Sequence, residues 1–360
     1  MVTAADHEFM RRVLELAARG LYTTTPNPRV GCVIAGDGTV VGTGWHEKAG
    51  MPHAEVLALK AAGARSRGAT LYVNLEPCSH HGRTPPCVDA IIDAGVGRVV
   101  AAIQDPNPQV AGAGFARLRA AGIAVERGPL EDEARELNIG FLARMARGRP
   151  WMRMKIAASL DGRTALASGK SQWITGEPAR ADGHRWRARA CAVLTGFGTV
   201  RDDDPQLNVR GVDTPRQPLK IVVDSKFETS PSARLLKDGK TLVVGAVSEE
   251  RKIAALRAAG AEVIIIPNDR GKVELFGLME ELGRRELNEV HVEAGTKLNG
   301  SLLGAGVVDE LLVYLAPSVI GDSGRGMFHL PELTELSQAS ALKIREVERV
   351  GTDLRILARI

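Results

Sequence analysis

His53, Glu55, Cys78 and Cys87 place one imidazole, one carboxylate and two thiols within 35 residues. Imidazole and thiolate are donors that suit zinc, and three such ligands leave a tetrahedral ion one open position. Water there becomes a nucleophile near neutral pH. Glu55 lies two residues beyond His53, about 200° around a helix, so it need not ligate the ion. It can approach the water from another side, take its proton and pass it to a leaving group. Cys78 and Cys87 each follow a proline and flank a polar loop that holds His80, His81 and Arg83. Either histidine could compete as a ligand, though support of the ligands or of a substrate suits them better. Cys32, inside an apolar run, and Cys191, before Ala192, Val193 and Leu194, read as small buried hydrophobes. A lone His-x-Glu is mostly chance; the joint pattern is what points to zinc.

These groups need elements to hold them. Phe9, Val13, Leu14 and Leu16 predict a helix over 6–19, with Asp6 as N-cap and Gly20 as its stop. Strands are expected at 30–34 and 39–45, joined by the turn Gly36-Asp37-Gly38. Pro52 opens a helix over 53–62. A buried strand, 70–75, runs into Glu76, Pro77 and Cys78, and Pro85-Pro86-Cys87 opens a helix that Gly95 ends. A strand at 99–103, a further helix and a strand reaching Val125 complete a layered α/β sandwich. Both cysteines and His53 fall where helices begin or strands end. The positive end of a helix favours the thiolate that a metal needs. One helix spans 131–145, and Arg147-Gly148-Arg149-Pro150 breaks it, which sets domains at 1–147 and 148–360.

The chain has 360 residues, enough for two cores. Its 47 basic and 43 acidic side chains give a net charge of +4, too even to imply nucleic acid but compatible with local basic patches for a small phosphate. Aromatic residues make up 4%, too few for a base-stacking platform. Four cysteines form no disulfide pattern. No leader-like start and no apolar run near 18 residues is visible, so the expectation is a reduced, cytoplasmic protein without membrane contact.

The second half alternates strands at 151–159, 192–194, 219–223, 241–245, 262–266, 290–293 and 311–316 with helices such as 177–190, 249–259 and 275–284. A strand pair near 341–348 and 353–359 ends the chain. This order predicts a mostly parallel sheet with an antiparallel end. Such sheets bind ligands at the carboxyl ends of strands. The candidates there are Gly196–Thr199, Asp224-Ser225 and the run Glu293–Gly300, a strand, a glycine turn and a helix start. That run could cradle a phosphate, although a glycine at such a junction is more often plain turn chemistry. It is neither Gly-x-Gly-x-x-Gly nor a Walker motif.

His-x-Glu followed by Pro-Cys and a second Cys is the pattern of zinc-dependent deaminases. The compact form of that pattern has two residues between the cysteines; here there are eight. The whole string Pro77–Cys87, with Thr25-Pro26-Asn27-Pro28-Arg29-Val30-Gly31 and Gln104-Asp105-Pro106-Asn107-Pro108, resembles the deaminase half of the bifunctional riboflavin-biosynthesis deaminase–reductases. Met154–Thr164, Ser171–Thr175, Asp203-Asp204-Pro205 and Val292–Gly295 resemble the reductase half. The resemblance implies a cytidine-deaminase-like three-layer sandwich followed by a dihydrofolate-reductase-like α/β domain. It implies zinc on His53, Cys78 and Cys87 and a pyrimidinone ribose 5-phosphate substrate, deaminated first and then reduced by NADPH from ribosyl to ribityl. By position, Asn27 and His46 would meet the ring or ribose, and Arg83 the phosphate. Ala157, Trp173, Thr199, Asp203, Ser225 and the turn Gly295, Thr296, Lys297, Leu298, Asn299, Gly300 and Ser301 would contact NADPH. Ser171, Arg187, Leu207, Arg210 and Glu293 would contact the second substrate, with Lys155 and Asp203 as candidate proton carriers. A homodimer through the reductase domain is also implied.

Each of these residues has a plainer reading. Asn27 is a turn residue between prolines, and His46 and Arg83 are solvated surface. Arg187 and Arg210 are exposed charges, Asp202–Asp204 an acidic turn, and Trp173 a core anchor. No visible motif selects NADPH over NADH. The competing function is a nucleic-acid base deaminase with an appended binding module, which the charge balance disfavours. A structural zinc protein is disfavoured by Glu55, since structural sites are closed.

Overall fold

The computed structural model describes residues 2–81 and 85–360, so Arg83 lies outside the described residues. The chain divides into two compact units, Met1–Gly148 and Arg149–Ile360.

The first unit runs α1 (Ala4–Ala18), β1 (Gly31–Gly36), β2 (Thr39–Trp45), α2 (Ala54–Ala62), β3 (Thr70–Leu75), α3 (Cys87–Asp93), β4 (Arg98–Ile103), α4 (Ala113–Ala120), β5 (Ala124–Arg127), α5 (Glu131–Leu137) and α6 (Ile139–Arg147). Its sheet has the order β2-β1-β3-β4-β5, with β1 antiparallel to both neighbours and β3, β4 and β5 parallel. Glycines show which helix lies on which face. A Cβ on Gly31 would meet the Val13 carbonyl of α1 at 2.2 Å, whereas one on Gly44 would meet the Ala54 carbonyl of α2 at 2.3 Å. Gly44 pairs with Cys32, the neighbour of Gly31, and side chains alternate along a strand. Thus α1 and α2 cover opposite faces, which makes three layers and leaves β1, β3 and β4 buried.

Two helix boundaries differ from expectation. Thr3, not Asp6, caps α1: the Asp6 amide donates to Thr3 Oγ1 at 3.2 Å, and the Thr3 amide donates to Asp6 Oδ2 at 2.7 Å. Asp6 is buried because its carboxylate also accepts from Arg98 at 2.8 and 2.9 Å and from the Tyr72 hydroxyl at 2.8 Å. The single helix expected over 131–145 is broken at Asn138. That side chain is used on the Arg29 main chain, accepting from its N–H at 2.8 Å and donating to its carbonyl at 2.9 Å.

The second unit runs β6 (Trp151–Ser159), α7 (Glu177–Arg189), β7 (Ala192–Gly196), α8 (Phe197–Asp203), β8 (Leu219–Val223), α9 (Arg234–Lys237), β9 (Thr241–Gly245), α10 (Glu250–Ala258), β10 (Glu262–Ile265), α11 (Leu275–Arg284), β11 (Glu289–Val292), α12 (Thr296–Gly304), β12 (Glu310–Ala316), β13 (Lys343–Val350) and β14 (Asp353–Arg359). The order is β10-β9-β8-β7-β11-β6-β12-β14-β13. All pairings from β10 to β12 are parallel, and β14 and β13 close the sheet antiparallel. The stretch read as a strand end and acidic turn is the helix α8, which ends where Asp204 turns left-handed at φ 39°. No helix among the described residues is long and apolar enough to cross a membrane.

Candidate functional site

In the first unit the helices α2 and α3 begin beside each other. His53 caps α2, Glu55 occupies its first turn, and Cys87 opens α3 after Pro86. Cys78 follows the end of β3, and its sulfur accepts from the Cys87 amide at 3.3 Å. His53 Nδ1 lies 3.2 Å from Cys87 Sγ and 3.6 Å from Cys78 Sγ, and the three donor atoms lie within 4.8 Å of one another. A tetrahedral zinc with ordinary bond lengths would separate such a nitrogen and sulfur by about 3.5 Å. The cluster fits zinc.

The two thiols titrate as a pair, and the hydrogen bond to Cys78, with burial, pushes the Cys87 thiol up. A hydrogen bond from the Cys87 thiol, opposed by burial and helped by His53 and the Cys87 amide, holds the Cys78 thiol well below its ordinary value. Cys78 is therefore the readier thiolate. Glu55 is 4% exposed, and its Oε2 has no hydrogen-bond partner among the described residues. Burial first, then the Cys78 charge, pushes its carboxyl up. A buried carboxylate oxygen without a partner costs free energy unless a ligand or proton completes it.

His46 is 2% exposed, so the solvated-surface reading of it is overturned. Its Nδ1 lies 3.2 Å from the Pro52 carbonyl, which only accepts, so Nδ1 carries the proton. Nε2 then accepts from Asn27 Nδ2 at 3.0 Å. Burial lowers the His46 pKa, which keeps the ring neutral. The ring stands edge-on to His53 at 5.2 Å. Asn27 is thus drawn beside the metal cluster by a long-range bond that spacing alone does not reveal. Glu76, to which the sequence reading assigned no role, accepts from the amides of Asp105, Gly112 and Phe115 at 3.1–3.2 Å and so anchors the loop after β4. Its position before Pro77-Cys78 was the available signal.

In the second unit Glu293 follows β11. Arg187 of α7 forks onto it, with Nε at 2.5 Å and Nη2 at 2.9 Å, and donates Nη1 to the Asn208 carbonyl at 2.7 Å. Lys155 Nζ is 4.0 Å and His291 Nε2 3.5 Å from the same carboxylate. Burial alone would raise the Glu293 carboxyl, but Arg187, His291 and Lys155 hold it well below the usual range. Burial lowers Lys155. Arg187, Leu207, Arg210 and Glu293 are therefore one neighbourhood, since the Arg187 bond to Asn208 lies between Leu207 and Arg210. The exposed-charge reading fails for Arg187, whose side chain is 13% exposed, and holds for Arg210.

The cofactor candidates divide. A Cβ on Gly295 would lie 3.8 Å from Thr199 Oγ1 and meet nothing closer, and one on Gly196 would touch Leu298. The ends of β7 and β11 with the start of α12 thus form an open cradle of amides, suited to a pyrophosphate. Thr296 and the exposed Lys297 open α12, and Ser301 is exposed further along it. Asn299 and Gly300 are buried: Asn299 donates to the Met327 carbonyl at 3.3 Å, and a Cβ on Gly300 would meet the His329 carbonyl at 1.9 Å. Ser225 follows β8, and its hydroxyl accepts from the Val273 amide at 3.3 Å. Ala157 is half-buried on β6, and Asp203 ends α8 exposed. Trp173 is 69% exposed beneath Arg180, at 4.7 Å, so it is no core anchor. Ser171 is half-buried in the same loop.

Two family models match the chain. The cytidine and deoxycytidylate deaminase zinc-binding region matches residues 3–103, and the RibD C-terminal domain matches residues 150–356. A riboflavin biosynthesis protein RibD from Escherichia coli is 49% identical over 97% of this chain and 98% of its own. A RibD structure from Acinetobacter baumannii superposes with a TM-score of 0.91 at 43% identity, covering 99% of this chain and 98% of that one. A diaminohydroxyphosphoribosylaminopyrimidine deaminase/5-amino-6-(5-phosphoribosylamino)uracil reductase from Thermotoga maritima gives 0.87 at 32% identity, over 99% and 98%. With a His/Cys/Cys cluster that fits zinc in one unit, a mostly parallel sheet with an open strand–helix junction in the other, and relatives of this identity along nearly its whole length, the chain belongs to the RibD family of bifunctional deaminase–reductases of riboflavin biosynthesis.

Proposed function

We propose that the first unit deaminates a diamino-ribosylamino-pyrimidinone 5′-phosphate and that the second reduces the deaminated product. The observation that carries the first half is the buried, unpartnered Glu55 Oε2 beside His53, Cys78 and Cys87. Zinc on those three ligands supplies a Lewis acid that makes water nucleophilic near neutral pH. Glu55 takes a proton from the attacking water and delivers one to the departing amine, leaving a ring carbonyl and ammonia. Asn27 and the neutral His46 orient the ring or ribose, and Arg83 reads the phosphate with its planar fork.

In the second unit NADPH supplies the hydride. Ala157, Trp173, Thr199, Asp203, Ser225 and the turn Gly295–Ser301 hold it. Ser171, Arg187, Leu207, Arg210 and Glu293 hold the ribose phosphate, whose ring opens to the C1′=N imine so that C1′ can accept hydride while the nitrogen takes a proton. Lys155, whose Nζ lies 4.0 Å from the Glu293 carboxylate, and Asp203 are the proton carriers of this reading. The exposed edge strand β13, with Ile344 at 63% and Val347 at 57%, supports pairing with a second copy through this unit. The near-even charge supports a small-molecule substrate rather than nucleic acid, and acts with the free cysteines in favour of a cytoplasmic setting.

The test supplies the pyrimidinone phosphate with NADPH and follows ammonia and NADPH separately. Ammonia release without NADPH, followed by NADPH oxidation, is expected. NADPH oxidation that precedes ammonia release would overturn the proposed order.

A further inference from the structure

The segment 207–210 carries two of the proposed substrate contacts, yet side chains from outside it set its main chain. His184 and Arg187 are three residues apart on α7 and so share a face. Arg187 donates to the Asn208 carbonyl at 2.7 Å. His184 Nδ1 accepts from the Arg210 amide at 3.2 Å. Gln217 brackets Val209: its Oε1 accepts from the Val209 amide at 2.7 Å and its Nε2 donates to the Val209 carbonyl at 3.3 Å. Three consecutive residues are thus tied through their main chain. They follow Leu207 at φ 55°, a left-handed conformation that a residue with a Cβ holds only when its surroundings fix it. Such a segment does not hold itself.

We propose that His184 and Gln217 are positioning residues for substrate binding in the reductase site: they fix segment 207–210 so that the Arg210 guanidinium faces the ribose phosphate. The proposal rests on reading Arg210 as a phosphate contact. Arg210 is exposed, and its guanidinium makes no hydrogen bond among the described residues, so its donors are available to a ligand. Glu293 is engaged by Arg187, which leaves Arg210 and Lys155 as surplus positive charge for a phosphate dianion. His184 serves as an acceptor only when Nδ1 carries no proton. Burial first, and then the cations Arg187, Arg210 and Lys155 around it, opposed by Glu293, keep the ring neutral. Glutamine at 184 can offer an amide oxygen to the same N–H, and leucine cannot.

The experiment uses the full-length enzyme, the deaminated pyrimidine ribose 5-phosphate and NADPH. His184→Leu and Gln217→Leu should each raise KM for the sugar phosphate about five- to tenfold with kcat nearly unchanged, the size of one lost hydrogen bond. His184→Gln should recover most of the loss, which a merely structural defect would not. Arg210→Ala should raise KM by itself, and His184→Leu should add less than about twofold in that background, because both act through one contact. If Arg210→Ala raises KM while His184→Leu leaves it unchanged, or if the two effects multiply, the positioning role is wrong and the phosphate contact stands. If Arg210→Ala leaves KM unchanged, the phosphate contact is wrong and the proposal falls with it.

Discussion

Glu293→Gln removes the carboxylate on which Arg187 and Lys155 both depend. The side chains of Arg187 and Glu293 are 13% and 16% exposed, so little solvent screens their pairing. Breaking such a pair by removing one charge leaves the other buried and uncompensated, at a cost of about 3–5 kcal/mol. Glutamine keeps one acceptor for the guanidinium and Asn208 keeps a second contact, which places the expected loss near about 3 kcal/mol. For a unit of this size that lowers the unfolding midpoint by about 6–12 °C. Trp151, Trp173 and Trp186 lie in this unit and Trp45 in the other, so tryptophan fluorescence reports chiefly on the reductase half. Replacing both partners, Arg187→Met with Glu293→Leu, should recover part of the midpoint, because the guanidinium leaves with the carboxylate and only Lys155, 4.0 Å away, loses a counter-charge. A single variant that melts within 2 °C of the parent, or a double variant less stable than either single one, would refute the reasoning.

Cys87→Ala should lose the metal, read by atomic absorption; a full zinc content would show that the ligand is misassigned. Gly42→Val should fail to accumulate as soluble protein or lose at least several kcal/mol, since its Cβ would sit 2.3 Å from the Ala58 carbonyl of α2; wild-type thermal stability would contradict the packing. His184 titrates at about 4 in the fold against 6.5 when unfolded, so the unfolded chain binds the extra proton between these values. Stability of the reductase unit should therefore fall as pH drops from 6.5 to 4, and His184→Gln should flatten that part of the curve. For Asp6 the sign comes from a carboxyl lowered chiefly by Arg98: its stabilisation is present above the ordinary value of 3.8 and lost below it. An Arg98→Met variant should be less stable at neutral pH and show a weaker acid transition, measured by circular dichroism.

Local spacing made the elements legible. The strands Thr39–Trp45, Thr70–Leu75, Trp151–Ser159, Leu219–Val223 and Thr241–Gly245 fall where alternation and apolar runs place them, because period and turn residues are local signals. The zinc cluster was legible for the same reason: its donors sit at element ends within one short stretch. What spacing could not show is who answers a polar side chain from far along the chain. Asn138 breaks a helix to serve Arg29, which is 109 residues away. His46 is buried because Asn27 and Pro52 satisfy both its nitrogens. Arg187 looks like a surface charge on a helix until Glu293, 106 residues on, lies against it. Asp6 read as a cap because Asp is a good capping residue, but Arg98 and Tyr72 outcompeted that position. Helix α8 escaped because Gly196-Phe197-Gly198 reads as a strand end and Asp202–Asp204 as an acidic turn when no packing partner is known.

Glu55 is the proton carrier proposed beside the His53, Cys78 and Cys87 cluster. Glu55→Gln keeps the shape of the side chain and removes its basicity. With the pyrimidinone phosphate as substrate, the variant should retain about one zinc per chain and oxidise NADPH normally when given the deaminated compound. Ammonia release should fall by about 10²–10⁴-fold, the contribution of a positioned general acid–base group. Release within tenfold of the parent, with zinc in place, would contradict the role assigned to Glu55.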